Sequence, residues 1–376
     1  MNTGWLTSAV LSLSVGPPLR AVFSDLDGTL VHYQKSFELH GCRIVRSDST
    51  SAVVASPAGE ERRCRVVRSS TLGIGLVSER TCDLVDALRA EGVLFVVVTA
   101  ARKSSLLERW PLLPACDVRV CESGSRIYIE DTLEREFASR FEHITGPLER
   151  ELDPEARPEL LWAWYRYLGQ RLPTELKRDA RSYYGMFRVD TRGHLERHVP
   201  SQHEAALAAL ITSEMPPELS SASNLGMVDF FPSASGKGNA VSYLQHRFGV
   251  ARAESACLFD DDNDLPMAEM CGAHFLPGLT SRSVMRAADM NPSWHVSPRA
   301  GQGVFAVEEC LTKLLGWARR SNRAAGDDAL AQRLRGSLPL RVDGTSSFPG
   351  AGGPVGGSSP LPEGYPMGYP EDDDLL

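Results

Sequence analysis

Two aspartates one residue apart, Asp25 and Asp27, close the apolar run Ala21-Val22-Phe23-Ser24, and Gly28 follows at once. In a strand, residues i and i+2 face one side. Asp25 and Asp27 are therefore expected to start on a common face, with a turn at Gly28 taking the backbone out of the sheet. Like charges held this close repel, so the pair favours a cation or a shared proton. Magnesium suits such a place, because it takes oxygen ligands and few protein carboxylates. A second acidic run, Asp260-Asp261-Asp262-Asn263-Asp264, follows the apolar stretch Ala256-Cys257-Leu258-Phe259. These residues make no core, and as a plain loop they would repel strongly; a metal accounts for them. A calcium loop of EF-hand type is disfavoured, because the glycine and the distal glutamate are missing.

Two single residues join these acids. Thr99 ends the continuous apolar run Val93-Leu94-Phe95-Val96-Val97-Val98. Its hydroxyl could donate to a phosphate oxygen at the carboxyl end of a strand, the usual ligand edge of an open α/β sheet. Lys237 lies in Ser235-Gly236-Lys237-Gly238-Asn239-Ala240, just before an apolar helical pattern. A lysine at a helix start opposes the macrodipole, so it is either a surface residue or a functional one.

The elements that must position these groups follow from periodicity. A strand over 19–25, a helix from a Ser78 cap to Glu91 and a strand over 93–99 form a βαβ unit. A helix over 103–109, stopped by Pro111, and a strand over 117–121 come next. Residues 31–77 alternate in β fashion between Ser/Pro/Gly separators and predict a β-hairpin insertion, with 69–75 as loop. From about 127 to 232 the character changes. An aromatic helix (160–168), a strand (182–190), a helix with a Ser201/Glu204 capping box and a strand (226–231) form a small inserted α/β module. Arg181, Tyr183, Tyr184 and Arg188 are its candidates for substrate contact. A helix over 237–248, a strand over 256–260, a helix over 265–271, a strand over 273–276 and a helix over 304–319 complete the larger unit. Residues 1–18 predict an unstructured leader. Residues from about 321 predict a disordered Gly/Pro/Ser-rich tail ending in Glu371-Asp372-Asp373-Asp374.

The 376 residues are 42% hydrophobic and 23% charged, an ordinary globular balance with length for one large domain or two medium ones. The formal net charge of -8 and the lack of a long Lys/Arg block argue against a nucleic-acid partner. No apolar run is long enough for a membrane span. Eight cysteines without a CxxC pair predict reduced thiols in an intracellular, cytoplasmic protein, with organellar targeting by the leader left open.

Asp25-Leu26-Asp27-Gly28-Thr29-Leu30 resembles the first motif of the haloacid dehalogenase-like phosphohydrolases. Thr99, Lys237 and the run at Asp260 stand in the order of that family's later motifs, and Asp260 to Asp264 resembles the pattern of its Cof-type and sucrose-phosphate-phosphatase-like branch. The resemblance covers about residues 19–317, without the 31–77 insertion. It implies an α/β fold: a Rossmann-like, doubly wound parallel-sheet core with an inserted α/β cap over 127–232. It implies Asp25 as nucleophile, Asp27 as general acid/base and Lys237 as the cation that neutralises the nucleophile and the phosphoryl group. Phosphate contacts fall to Thr99, Lys237, Asn263 and Gly28. Mg2+ ligands fall to Asp25, Asp27 through its carbonyl, Asp260 and Asp264, with Asp261 replacing Asp260 if the register slips. Two positions depart from the family pattern: Ala100-Ala101-Arg102 after the threonine, and Phe259 where glycine is usual. The implied function is hydrolysis of a small phosphorylated metabolite, a sugar phosphate, by a magnesium-dependent phosphatase. The rivals are a sugar phosphomutase and a non-catalytic sugar-phosphate-binding regulator.

Overall fold

The computed structural model describes residues 17–69, 73–147, 152–172, 176–191, 201–224 and 227–325. The chain divides into two compact units, one holding residues up to Glu134 and again from Lys237, the other holding Arg135–Gly236. The leader falls almost wholly outside the described residues, as does the chain after 325.

The first unit is built on an eight-stranded sheet. Ala21–Ser24 lies between Leu94–Val98 and Ser255–Leu258, parallel to both. Val118–Cys121 extends one side in parallel, and Ala273–Leu276 and His295–Val296 extend the other. Numbered along the chain, these six parallel strands stand in the order 3-2-1-4-5-6, the doubly wound arrangement. An antiparallel hairpin, Arg126–Ile129 with Thr132–Leu133, adds to the edge beside Val118–Cys121. Residues 127–129, read from sequence as the start of the insert, thus belong to the larger sheet. Val22, Phe23, Phe95, Val96, Val97 and Val98 are fully buried. Strands covered on both faces need such uninterrupted apolar runs.

Helices cover the sheet. Glu79–Ala90 starts at Ser78, whose Oγ accepts from the Thr81 N–H at 2.9 Å. A cap of this kind stabilises a helix by about 1 kcal/mol. Val85 and Leu88 pack in one cluster with Val307, Leu311 and Leu314 of the last helix, Val304–Ala325. That helix outruns its expected end. Ser321 is buried and Asn322 Nδ2 donates to the Glu91 carbonyl at 2.9 Å, so the expected tail boundary at 321 cuts the final turn. The polar run Arg319–Arg323 hides this turn from an apolar pattern.

The 31–77 insertion is larger than one hairpin. It forms a five-stranded antiparallel sheet in the order His32–Tyr33, Gly73–Ser78, Glu61–Ser69, Ser51–Ala55, Arg43–Ser47. Gly73–Ser78, half of it read as loop, pairs with six residues of Glu61–Ser69. Gly75 is required there, since a Cβ would stand 2.4 Å from Val31 Cγ1. One face of this sheet buries Phe37, Ala52, Val54, Cys64, Val66 and Leu76 against Val304 and Phe305. Glu308, also on the last helix, accepts from Arg62 Nε and Ser78 Oγ, each at 2.7 Å.

The second unit is a four-stranded antiparallel sheet in the order Lys177–Asp179, Phe187–Asp190, Met227–Pro232, Leu219–Asn224. Phe187 and Phe230 face each other across one pair, stacked at 4.9 Å, and Trp164 of the helix Leu160–Arg171 meets Phe230 edge-on. The expected strand over 182–190 is confined to Phe187–Asp190. Ser182 has φ +57°, a left-handed conformation that a strand does not contain.

All eight cysteines are unpaired, and seven are buried. Among the described residues no helix is long and apolar enough to cross a membrane.

Candidate active site

In a doubly wound sheet the chain leaves strands one and four in opposite directions, which opens a crevice at their carboxyl ends. Here those strands are Ala21–Ser24 and Ser255–Leu258. Asp25 follows the first directly, and its N–H donates to the Leu258 carbonyl at 2.9 Å. Asp260 lies two residues past the second. The topology alone brings together acids separated by more than two hundred residues of chain.

Lys237 is the first residue of the helix Lys237–Phe248 and is 4% exposed. Its Nζ donates to Asp25 Oδ1 at 2.7 Å and to Asp264 Oδ1 at 2.5 Å. Carboxylate oxygens of Asp25, Asp260 and Asp264 all lie within 4.8 Å of one another, and all three residues are buried. Burial alone would discharge the lysine, but the Asp25 and Asp264 carboxylates beside it hold its pKa above the ordinary value. Burial raises the carboxyl pKa values of Asp25, Asp260 and Asp264, reinforced by the charge of Asp27 at Asp25 and of Asp25 at the other two, with Lys237 opposing it at Asp25 and Asp264.

Three acids and one ammonium leave excess negative charge in a dry place. Asp264 Oδ2 is buried and has no hydrogen-bond partner among the described residues, an arrangement that costs about 1–3 kcal/mol or more if nothing satisfies it. A divalent cation would satisfy it. The donors are all carboxylate oxygens, the set that hard cations such as Mg2+ take. The residues fit the metal.

Gly28 and Thr29 shape this cluster. Gly28 has φ +101°, and a Cβ there would fall 2.3 Å from Asp260 Oδ2. Thr29 Oγ1 donates to Asp260 Oδ1 at 2.5 Å. The Gly28 N–H donates to the Val31 carbonyl at 2.8 Å, and the absence of a side chain makes room for Asp260. Of the two aspartates that open the acidic run, Asp260 is the one grouped with Asp25 and Asp264. Asp262 accepts from the hydroxyls of Ser281 and Ser283. Asn263 is half-buried in the short turn Asp262–Asp264.

Thr99 stands one strand over from Asp25 at the same sheet edge, since Val97 pairs with Ser24. Its Oγ1 accepts from the Ala101 N–H at 3.1 Å, leaving the hydroxyl proton directed elsewhere.

Asp27 acts on Asp25 through its charge, which joins burial in raising the Asp25 carboxyl pKa. Its carboxylate stands outside the acid cluster and accepts from Arg109 Nη1 at 2.5 Å, Arg109 Nη2 at 3.2 Å and the Tyr33 hydroxyl at 2.6 Å. The strand ends at Ser24, so period-two alternation no longer holds at Asp27. Neither Arg109 nor Tyr33 was legible as a site residue. Arg109 reads as an ordinary charge at the end of the short helix Lys103–Arg109, yet it is 2% exposed.

The four substrate candidates of the second unit fare differently. Arg188 is buried and bonds Asp229 through Nε at 2.8 Å and Nη2 at 2.9 Å. Tyr183 is buried beneath the Arg188 guanidinium. Both are interior residues of the second unit. Arg181 is exposed and pairs with Asp179 at 3.2 Å, and Tyr184 lies half-buried against Arg157.

No protein-family profile matches the chain, and no curated protein sequence matches it either. Solved structures do. The sucrose-phosphatase of Synechocystis sp. PCC6803, solved with sucrose and phosphate, superposes with a TM-score of 0.51 at 15% identity, covering 79% of this chain and 98% of that one. A phosphatase of the haloalkanoate enzyme superfamily from Bacteroides thetaiotaomicron gives 0.47 at 16% identity over 83% and 99%. The first of these likenesses shows a shared fold, the Rossmann-like core with an inserted cap that the motifs implied.

Proposed function

We propose that this chain is a magnesium-dependent phosphatase that hydrolyses a small phosphate monoester, a sugar phosphate, through an aspartyl-phosphate on Asp25. The observation that carries this reading is the Lys237 ammonium joined to both Asp25 and Asp264 at one sheet edge. A lysine so placed has no packing role. It offsets the charge of a carboxylate that must approach a phosphate dianion, and positioned charge is the main catalytic term in phosphoryl transfer.

Asp25 attacks phosphorus through a carboxylate oxygen, and the bond from phosphorus to the leaving oxygen breaks. Asp27 gives that oxygen its proton. A water then attacks the phosphoryl group on Asp25 and loses a proton to Asp27, which frees inorganic phosphate and restores both carboxyl groups. Lys237 and the Thr99 hydroxyl orient phosphoryl oxygens, with Asn263 beside them. Asp25, Asp260 and Asp264, with the Asp27 carbonyl, would hold Mg2+. The ion would supply positive charge against the phosphoryl oxygens. The sucrose and phosphate bound in the Synechocystis structure support a sugar phosphate as substrate.

The test is phosphate release from a panel of sugar phosphates and p-nitrophenyl phosphate, with Mg2+ and with chelator. Release that requires Mg2+ is expected. No release from any monoester with Mg2+ present, or migration of phosphate within the sugar without release, would overturn the reading.

A further inference from the structure

The Asp27 carboxylate has a built seat. Arg109 forks across both of its oxygens, and the Tyr33 hydroxyl adds a third contact. The guanidinium is almost wholly buried, and its Nε donates to the Ser105 carbonyl of its own helix at 3.2 Å. Two-point hydrogen bonding of this kind fixes orientation as well as distance. Both Asp27 oxygens are acceptors in these contacts.

The parts of this seat come from different elements. Asp27 follows the central strand, Arg109 ends the helix Lys103–Arg109, and Tyr33 lies on His32–Tyr33, the first strand of the five-stranded insertion. We propose that Arg109, helped by Tyr33, is the positioning residue for proton transfer by Asp27, and that the insertion contributes to catalysis through the Tyr33 hydroxyl. Arg109 fixes where the carboxyl group waits between donating to the leaving oxygen and accepting from water. The inference rests on the proposed phosphatase reaction and on Asp27 as its acid/base.

Leaving groups separate this role from a structural one. The parameter kcat/KM reports steps only through phosphoryl transfer to Asp25. A p-nitrophenolate leaves with little need of a proton, whereas an alkoxide needs one. The experiment compares kcat/KM for p-nitrophenyl phosphate and for a primary-alkyl phosphate in the wild-type protein with Mg2+, in Arg109→Gln, Arg109→Lys, Tyr33→Phe and Asp27→Asn. Arg109→Gln is expected to lose at least about tenfold more on the alkyl than on the aryl ester. Asp27→Asn should show the same split more strongly, and Arg109→Lys should recover part of the loss. Tyr33→Phe, a mild change at a half-buried residue, should show a smaller split of the same sign and keeps the test open if Arg109→Gln fails to fold. Equal losses on both esters in the Arg109 and Tyr33 variants, with the split intact in Asp27→Asn, would overturn the inference alone. Lack of turnover in the wild-type protein, or no split in Asp27→Asn, would instead overturn the reaction on which it rests.

Discussion

The Gly28 Cα faces the Asp260 carboxylate so closely that a Cβ on it would lie 2.3 Å from Oδ2, well inside van der Waals contact. The two residues are far apart in sequence and belong to different motifs, yet each limits the other. Gly28→Ala must both push Asp260 aside and hold alanine at φ +101°. The expected outcome is a fall in turnover of at least about a hundredfold, since displacing a reacting group by an ångström costs about that much. Steady-state assay with Mg2+, beside circular dichroism to confirm folding, checks it.

Metal binding is separately measurable as stability. Mg2+ should stabilise the wild-type protein by about 1.4 kcal/mol for each tenfold rise in ion above the dissociation constant, and so raise its unfolding midpoint. Asp260→Asn and Asp264→Asn should respond much less, because each removes one carboxylate from the cluster. Thermal unfolding across a Mg2+ titration is the measurement. An equal response in both variants would place the ion elsewhere.

The sequence carried the parallel core well, for a physical reason. Strands buried on both faces need unbroken apolar runs, and Val93–Val98 and Ala256–Phe259 stand out for that reason. The acids and Lys237 were legible because charged groups at the ends of such runs have no packing role. Tertiary partners were not legible. Arg109 looks like any helix-terminal arginine until the fold buries it against Asp27. Leu219–Asn224, largely serines, shows no apolar alternation and is a strand because it pairs with Met227–Pro232. The partner of Arg188 was not legible either: Asp229 takes its guanidinium, and the Tyr183 ring is buried beside it.

That buried pair makes its own prediction. Removing one member leaves an uncompensated buried charge, which costs about 3–5 kcal/mol. Asp229→Asn should therefore destabilise the second unit by that order in a denaturant titration. Replacing both residues together, Arg188→Met with Asp229→Leu, should restore most of the loss. A fully stable Asp229→Asn would show that the pair is not buried as described.

His32 gives a pH dependence. It is 5% exposed, its Nε2 has no hydrogen-bond partner among the described residues, and burial lowers its pKa to about 3 from the ordinary 6.5. The unfolded chain therefore binds a proton between these values that the folded chain refuses. Stability at His32 is fully present above pH 6.5 and is lost as pH falls toward 3, with a slope of at most about 1.4 kcal/mol per pH unit. Equilibrium unfolding of the wild-type protein and His32→Leu over that range isolates the contribution. The difference between them should shift in favour of the variant as pH falls, and parallel profiles would contradict the assignment.

The account stands most directly on covalent chemistry at one carboxylate. Acid-quenched protein taken during turnover of a sugar phosphate, digested and read by mass spectrometry, should carry a phosphoryl group on the peptide containing Asp25. Hydroxylamine should remove it, and Asp25→Asn should show neither label nor turnover. Turnover that persists in Asp25→Asn, or a phosphoryl group found only on another residue, would contradict the proposed mechanism.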